Sequence, residues 1–258
     1  MTLKPLSTAI ANTFTSNLRL IASDVDGTLT QQGKFTPKLI TAIESLTQAG
    51  IEVILITGRS AGWVQALNNY LPVTGAIAEN GGLFYASKND SPELLVSVSD
   101  LSEHRQHLAE VFKCLKSQFP NLKESTDNRF RLTDWTFDVE GLSPSQLQTL
   151  AEICHEKDWG FTYSTVQCHI KPQNQDKATG LLKVLSRYFP KLSTEHILTV
   201  GDSPNDESLF NPEKFPHSVG VANILHYTKY LNYQPTYVTT AEEVNGFCEL
   251  AKLLTLKL

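Results

Sequence analysis

The sequence predicts an α/β protein with a doubly wound, mostly parallel, Rossmann-like core sheet and an inserted α+β segment. Short apolar stretches of strand length alternate with amphipathic helical stretches near both ends of the chain. Strand and helix in alternation are typical of a parallel sheet, because parallel strands need crossover connections. In the middle of the chain this pattern gives way to alternating polar and apolar residues, which are typical of an antiparallel sheet with one solvated face.

The first part of the core is predicted from residues 18–83. A strand opens the stretch Leu20–Thr30, and Pro37–Gly50 carries apolar residues at helical spacing before a terminating glycine. The stretch Ile51–Ile56 predicts a buried strand, and a second helix is expected from about Ser60 to Tyr70. A short third strand follows at Gly75–Glu79.

The inserted segment is predicted at residues 84–172. Leu101–Phe119 predicts a long amphipathic helix, and Arg131–Val139 predicts a half-exposed antiparallel strand. A second helix is expected at Pro144–Lys157, followed by a strand or hairpin at Phe161–Ile170. The predicted form is two units, each a helix followed by strand, on one antiparallel sheet.

The parallel pattern then resumes, so residues 173–258 are assigned to the core together with residues 18–83, and residues 1–17 form an N-terminal extension. The elements predicted in this second part are helix Lys177–Phe189, strands Ile197–Val200, Ser218–Ala222 and Tyr237–Thr240, and a helix from about Ala241 to Leu254.

Composition excludes several classes of protein. The chain has 258 residues, 41% hydrophobic content and a formal net charge of −5, without the basic face expected of a nucleic-acid-binding protein. Apolar runs fall far short of the roughly 20 residues that a membrane helix needs. The four cysteines are scattered, so neither a zinc site nor a disulfide framework is expected. We therefore expect a cytoplasmic protein with reduced thiols, no membrane or nucleic-acid partner and no secretory signal; the sequence indicates no oligomeric state.

Polar residues follow the predicted core strands where those strands end. Asp24 and Asp26 follow the first strand, Thr57 follows the second, and Asp202 and Asp206 follow the strand ending at Val200. In a doubly wound sheet these ends meet at one edge. Two carboxylates about 4 Å apart repel by roughly 4 kcal/mol at an effective dielectric constant near 20, so the cluster needs a cation or raised pKa values. Oxygen ligands beside an anion site suggest Mg²⁺.

Each of these features also has a purely structural explanation. Asp24–Gly27 resembles an ordinary turn, and Ser203–Asp206 has the features of a helix start. Thr57 could cap a helix, or its hydroxyl and the Gly58 amide could face a phosphate. Lys177 lies in the first turn of a helix, where the macrodipole disfavours a cation, so a negatively charged partner is expected. Lys171 is the rival cation in this segment.

Four stretches resemble, in order and spacing, the motifs of the haloacid dehalogenase superfamily phosphatases. They are D-V-D-G-T-L-T from residue 24, T-G-R-S at 57–60, Lys177, and G-D-S-P-N-D at 201–206. The stretch E-N-G-G at 79–82 and the position of the insert are similar to the type IIB, Cof-like branch, which includes sucrose-phosphate and mannosyl-3-phosphoglycerate phosphatases. The resemblance covers the core, and the insert is matched only by position and size.

The resemblance implies an aspartyl-phosphate mechanism. Asp24 would be the nucleophile, and Asp26 would be the acid that protonates the leaving group and then activates water. The phosphate ligands implied or expected are Thr57, Gly58, Lys177 and Asn205. The Mg²⁺ ligands would be Asp24, Asp26 through its backbone carbonyl, and Asp202, with Asp206 in an outer position or holding Lys177. By analogy, the insert would be a cap that closes over the substrate.

The predicted function is a magnesium-dependent phosphatase for a small phosphorylated metabolite, such as a sugar phosphate or a related organic phosphate. A phosphotransferase or phosphomutase with the same intermediate is an alternative, and a non-catalytic sensor of a phosphorylated ligand is another. The candidate substrate contacts are Arg59, Asn80, Arg129 and Arg131. For Arg129 and Arg131, a solvated face of an insert strand explains the sequence equally well.

Overall fold

The computed structural model describes residues 3–7, 16–86 and 91–255. Its main feature is a sheet of nine strands, so the predicted α/β class with a mostly parallel core sheet is confirmed. In chain order the strands are β1 Lys4–Pro5, β2 Leu20–Ser23, β3 Glu52–Ile56, β4 Gly75–Ala78, β5 Leu83–Ala86, β6 Glu93–Leu94, β10 Ile197–Gly201, β11 Ser218–Gly220 and β12 Tyr237–Val238. Strands β7 to β9 form a separate sheet, described below.

Strand β2 lies at the centre of the larger sheet. The order across the sheet is β1-β12-β11-β10-β2-β3-β4-β5-β6. All neighbours from β1 to β4 pair in parallel, whereas β4–β5 and β5–β6 pair antiparallel. After β2 the chain adds β3 to β6 on one side of that strand, and later adds β10, β11 and β12 on its other side. The ends of β2 and β10 therefore form the switch point at which an open α/β sheet binds its ligands.

Helices cover both faces of this sheet. Their bounds are α1 Pro37–Gln48, α2 Ala61–Tyr70, α5 Lys177–Tyr188 and α6 Glu243–Thr255. One apolar core contains side chains of α1, α2 and α6, such as Ile43, Val64 and Phe247. The other contains side chains of α5, such as Leu181, with Phe210 and Phe215. The sheet is thus buried on both sides, which explains its continuous apolar strands.

The inserted elements form a smaller layer with its own apolar core. Helices α3 Leu101–Gln118 and α4 Pro144–Glu156 accompany an antiparallel sheet of β7 Trp135–Asp138, β8 Trp159–Tyr163 and β9 Gln167–Pro172, in the order β7-β9-β8. Phe112, Phe137 and Leu150 belong to its core. Residues 83–86 and 93–94 pair with the larger sheet, so the chain leaves that sheet later than the boundary at residue 84 expected from the sequence.

One predicted strand is shorter than its sequence pattern indicated. Strand β7 covers only Trp135–Asp138, and the preceding residues 131–134 form no strand. Their polar side chains are buried and form hydrogen bonds to the core, for example from Arg131 to the carbonyl of Gly58 and from Thr133 to Glu79. The alternating polar residues therefore face the core, and the prediction of a solvated face is wrong here.

The described part of the N-terminal extension adds an edge strand. Lys4–Pro5 pairs in parallel with Tyr237–Val238. Residues 8–15 of the predicted extension lie outside the described residues. Among the described residues, the structure contains no helix with the length and apolar character required to cross a membrane.

A glycine contact fixes α5 against the turn that follows β4. Gly81 has a φ of +101°, and a Cβ built on it would lie 2.1 Å from the carbonyl oxygen of Asp176. Gly180 on α5 meets the same turn, since its Cβ would lie 2.6 Å from the Cα of Gly81. Only glycine permits both the left-handed backbone and this approach.

Replacing Gly81 tests that contact. We expect Gly33→Ala, at φ +73° with open space around it, to lose only about 1–2 kcal/mol of stability from the strained backbone. Gly81→Ala should lose roughly a further 1–3 kcal/mol, because backbone atoms must shift. Chemical denaturation of both variants measures the difference. Equal losses would contradict a packing role for Gly81.

Candidate active site

Two carboxylates lie on the loop that follows β2, at the switch point of the sheet. The backbone amide of Asp24 donates to the carbonyl of Val200 at 2.9 Å, which fixes the loop against β10. Gly27 then turns the chain at φ +83°, and a Cβ there would lie 2.4 Å from Oδ2 of Asp202. The glycine thus allows the loop to approach the carboxylate from β10.

Asp24 is almost completely buried, with 3% of its surface exposed. Its Oδ1 accepts a hydrogen bond from Nζ of Lys177 at 2.5 Å. Its Oδ2 is also buried and has no hydrogen-bond partner among the described residues. Burial raises the pKa of the Asp24 carboxyl to about 7, against the opposing charge of Lys177. A buried oxygen without a partner is costly unless a ligand satisfies it.

Lys177 joins Asp24 to Asp206. Nζ of Lys177 is fully buried and donates to Oδ1 of Asp206 at 2.6 Å as well as to Asp24. Burial disfavours the ammonium, but the charges of Asp206 and Asp24 dominate and raise the pKa of Lys177. The other oxygen of Asp206 accepts from the backbone amides of Asp202 and Ser203. Asp206 therefore has both oxygens occupied and holds the lysine in place.

Lys171 does not reach this cluster. It lies on β9, and its Nζ donates to the backbone carbonyl of Gln175. Burial lowers the pKa of this ammonium. Of the two lysines that the sequence offered, the structure brings Lys177 to the carboxylates.

Asp202 completes an acidic group with Asp24 and Asp206. One ligand oxygen from each of the three lies within 4.8 Å of the others, and all three residues are buried. Asp202 accepts from Thr28 at 3.0 Å and from Asn223 at 2.7 Å. Burial, followed by the charges of Asp24 and Asp206, raises its pKa well above the usual range. A donor set made only of carboxylate oxygens fits a hard divalent cation.

Asp26 is held by an arginine that the sequence placed among the substrate contacts. Arg59 donates from Nε and NH2 to the two oxygens of Asp26, at 2.8 and 2.7 Å. The hydrogen bond to Asp26 is the main cause of a raised pKa at Arg59. The guanidinium also lies 4.8 Å from the ring centroid of Trp63. Arg59 therefore orients the second carboxylate next to Asp24.

Thr57, Gly58 and Asn205 line the rest of the site, and Asn80 contacts Asn205 without lining the cavity. Thr57 is buried, and its hydroxyl accepts from the amide of Arg59 at 3.1 Å. Nδ2 of Asn205 donates to Oδ1 of Asn80 at 3.0 Å, while Nδ2 of Asn80 is buried without a partner. Asn80 has a φ of +53°, in the left-handed region. Donors on this side of Asp24 are suited to phosphoryl oxygens.

The insert closes the site from above. A cavity of about 10 Å³ is lined by core residues and by side chains of β8 to β9, namely Asp24, Asp26, Thr57, Gly58, Arg59, Ser164, Val166, Gln167, His169, Ser203 and Asn205. This volume corresponds to about one water molecule.

The two candidate arginines of the insert have different surroundings. Arg131 is 2% exposed and donates to Asp127, Asp134, Gln167 and the carbonyl of Gly58. Because its guanidinium is occupied within the protein, Arg131 positions Gly58 and the roof of the cavity rather than offering free donors to a substrate. Arg129 is exposed and lies over the ring of Phe130, without a contact to the carboxylates.

Two buried residues at the junction were missed by the sequence analysis. His169 lies in the cavity wall, and the fully buried Glu79 accepts hydrogen bonds from the amides of Ala61, Leu132 and Thr133. A sequence signal exists for His169. In β9 the polar residues Gln167, His169 and Lys171 alternate with the apolar Cys168 and Ile170, which indicates a polar face but not that this face meets the core.

Comparison with known proteins supports the same assignment. The family model described as haloacid dehalogenase-like hydrolase matches residues 21–118 and 102–247. A phosphoglycolate phosphatase of Methanothrix thermoacetophila is 33% identical over 211 residues, covering 80% of this chain and 85% of that protein.

Solved structures agree at the level of the fold. The C-terminal domain of trehalose-6-phosphate phosphatase from C. albicans has a TM-score of 0.73 at 16% identity, with 100% of this chain and 99% of that one covered. Sucrose-phosphatase from Synechocystis, solved with sucrose and phosphate, has a TM-score of 0.66 at 17% identity, with 92% and 98% covered. The resemblance to the type IIB, Cof-like branch is confirmed. The chain therefore belongs to the haloacid dehalogenase-like hydrolases, as an enzyme of their phosphatase type.

Proposed function

We propose that this enzyme hydrolyses a small phosphorylated metabolite through an aspartyl-phosphate at Asp24, with Mg²⁺ as cofactor. The observation that carries the proposal is the buried, partnerless Oδ2 of Asp24 beside the ammonium of Lys177. One oxygen of the carboxylate is fixed by a cation and the other is open for attack. A helix cap or an ordinary turn explains neither oxygen.

Two substrate classes are supported. The relative named phosphoglycolate phosphatase suggests phosphoglycolate, whose leaving group is a short hydroxy acid. Sugar phosphates and related organic phosphates are the class implied by the Cof-like resemblance. We propose a substrate with a short leaving group, because side chains of the insert, such as Gln167 and His169, line the same small cavity as Asp24.

The first step transfers the phosphoryl group to the protein. Oδ2 of Asp24 attacks phosphorus, the ester bond to the leaving oxygen breaks, and Asp26 donates a proton to that oxygen. Lys177, with Thr57, Gly58 and Asn205, binds the phosphoryl oxygens, whose negative charge the ammonium stabilises. Both oxygens of Asp26 accept from Arg59 in this structure, so before this step Asp26 must give up one of these hydrogen bonds and take up a proton on the freed oxygen.

The second step releases phosphate. Asp26, now a carboxylate, takes a proton from a water molecule that attacks phosphorus, and the bond between phosphorus and Asp24 breaks. Asp24, Asp202 and the backbone carbonyl of Asp26 would hold the metal ion, with Asp206 retaining Lys177. The ion supplies a positive charge that orients the phosphate and neutralises the acidic group. We also propose that the insert is the cap that excludes bulk water during both steps.

Replacing the nucleophile tests this proposal. We expect Asp24→Asn to abolish phosphate release from p-nitrophenyl phosphate and from phosphoglycolate, because the amide is a poor nucleophile of nearly the same shape. The exposed Asp158→Asn is the matched control and should retain activity. Circular dichroism checks that both variants fold. Turnover by Asp24→Asn close to that of the unmodified enzyme would exclude the mechanism.

Metal binding has a readout that needs no substrate. At neutral pH the buried acidic group opposes folding, because the raised pKa values of Asp24 and Asp202 make their ionised forms costly. A ligand at 100 times its dissociation constant stabilises by about 2.7 kcal/mol, so Mg²⁺ should raise the melting temperature of EDTA-treated protein. Asp202→Asn should weaken the effect, and Asp158→Asn should preserve it. A melting temperature and an activity that are both unaffected by EDTA and Mg²⁺ would exclude the metal site.

A further inference from the structure

His169 is a buried histidine with only one of its two ring nitrogens bound by the protein. It lies on β9 with 1% of its surface exposed, and Nδ1 is 2.8 Å from Oδ2 of Asp134. Within the described part of the chain, no hydrogen bond joins Nε2 to another residue. A histidine that serves only in packing is expected to have both nitrogens satisfied or apolar surroundings. The unused nitrogen is therefore available to a hydrogen-bond donor from outside the protein.

The ring is aimed at the reaction site. His169 lines the small cavity together with Asp24, Asp26 and Thr57. A Cβ built on Gly58 would lie 3.0 Å from Cε1 and 3.1 Å from Nε2 of the imidazole, so the ring sits directly on the turn that follows β3. His169 and Asp24 therefore border the same cavity, within which the leaving group of a substrate on Asp24 can meet the imidazole.

The position of the ring is fixed through Asp134 and Arg131. The fully buried Asp134 accepts from NH1 of Arg131 at 2.9 Å, and the same NH1 donates to the carbonyl of Gly58 at 2.9 Å. The chain of contacts thus begins and ends at the core turn that carries Gly58. Such supporting contacts hold a ligand-binding side chain in one orientation.

The same contacts determine which nitrogen carries the proton. Although burial acts in the opposite direction, Arg131 and the hydrogen bond with His169 hold the pKa of Asp134 below its usual range, so Asp134 is a carboxylate and can only accept. The proton of a neutral imidazole therefore resides on Nδ1. Burial lowers the pKa of His169 despite Asp134, and the charges of Arg131 and Lys177 add to this. Nε2 is consequently the ring nitrogen with a free lone pair, on a side chain that lines the cavity.

We propose that His169 is a specificity-determining residue whose Nε2 accepts a hydrogen bond from a hydroxyl group of the leaving alcohol, next to the phosphate ester. The proposal rests on the phosphatase function above and makes its substrate class narrower. A polyol or sugar-like leaving group supplies such a hydroxyl. The carboxylate of phosphoglycolate supplies only lone pairs, which would face the lone pair of Nε2.

Three substrates of similar size distinguish these leaving groups. They are glycerol 1-phosphate with an adjacent hydroxyl, n-propyl phosphate without one, and phosphoglycolate with a carboxylate. We expect the unmodified enzyme to have a kcat/KM for glycerol 1-phosphate at least about tenfold above that for the other two, because an unmatched buried acceptor is costly. p-Nitrophenyl phosphate serves as the general measure of activity.

Substitutions at His169 then locate the preference. His169→Phe preserves the ring volume without an acceptor. The ratio of kcat/KM for glycerol 1-phosphate to kcat/KM for n-propyl phosphate should therefore fall to near one, while kcat/KM for n-propyl phosphate changes by less than about threefold. His169→Gln restores an acceptor oxygen at a similar reach and should recover part of the preference. His104→Phe is the matched control, because His104 is another histidine of the insert and bonds to the carbonyl of Thr133.

Asp134→Asn tests the proton assignment. The new amide can donate to Nδ1, which moves the imidazole proton to Nε2 and turns it into a donor. The preference should then shift from glycerol 1-phosphate toward phosphoglycolate. If this variant does not fold, the His169 variants still decide the question.

The results of these experiments distinguish failure of the role of His169 from failure of the proposed phosphatase function. Two results would overturn the role of His169 and leave the phosphatase function intact. One is a folded His169→Phe variant whose kcat/KM falls equally for all substrates. The other is an unmodified enzyme that hydrolyses p-nitrophenyl phosphate but has equal kcat/KM for glycerol 1-phosphate and n-propyl phosphate. An unmodified enzyme that releases no phosphate from any of the four substrates in the presence of Mg²⁺ would overturn both.

Discussion

The excess of buried negative charge at the switch point is the constraint on which the rest of the site depends. Asp24, Asp202 and Asp206 are all buried, and Lys177 supplies the one cation that bonds to this group within the described chain. An uncompensated buried charge is expensive, so the site in its ionised form is incomplete without further positive charge. A bound cation would offset this charge and would allow the site to accept the negatively charged phosphoryl group.

The two central strands of the sheet hold the acidic residues in fixed positions. Asp24 and Asp202 follow directly from the parallel neighbours β2 and β10, whose backbones are locked in register. Gly27 lets the first loop approach Asp202, and the contact between Gly81 and Gly180 holds the helix that begins with Lys177. Sites built on such rigid elements keep their geometry between one step and the next.

Much of the core could be predicted from the sequence because its signals are local. Apolar strands followed by Asp24, Thr57 and Asp202 indicate a parallel sheet with polar ends, whichever way the remaining chain packs. The direction in which the polar face of the insert points could not be predicted in this way. Residues such as Arg131 and His169 alternate with apolar neighbours, and alternation alone does not tell a face that meets water from one that meets a second polar surface. That distinction depends on Glu79 and Gly58, which lie far away in sequence.

Arg59 shows the same limit within a motif. The sequence places it beside Thr57 and thus near the phosphate, but its bidentate contact with Asp26 depends on the relative positions of two strand ends. The contact gives Arg59 an orienting role toward a carboxylate of the protein. The two carboxylates of the opening motif therefore have different partners, an ammonium for Asp24 and a guanidinium for Asp26, and this difference suits them to different tasks.

The proposed mechanism depends on transfer of the phosphoryl group to Asp24 during turnover. Mass spectrometry can detect this transfer in enzyme that is acid-quenched while it hydrolyses p-nitrophenyl phosphate with Mg²⁺ and is then digested with trypsin. We expect one phosphoryl group on the peptide of residues 20–34, with fragmentation placing it on Asp24. A phosphoryl group on any other residue, or none at all under conditions of rapid turnover and efficient quenching, would contradict it.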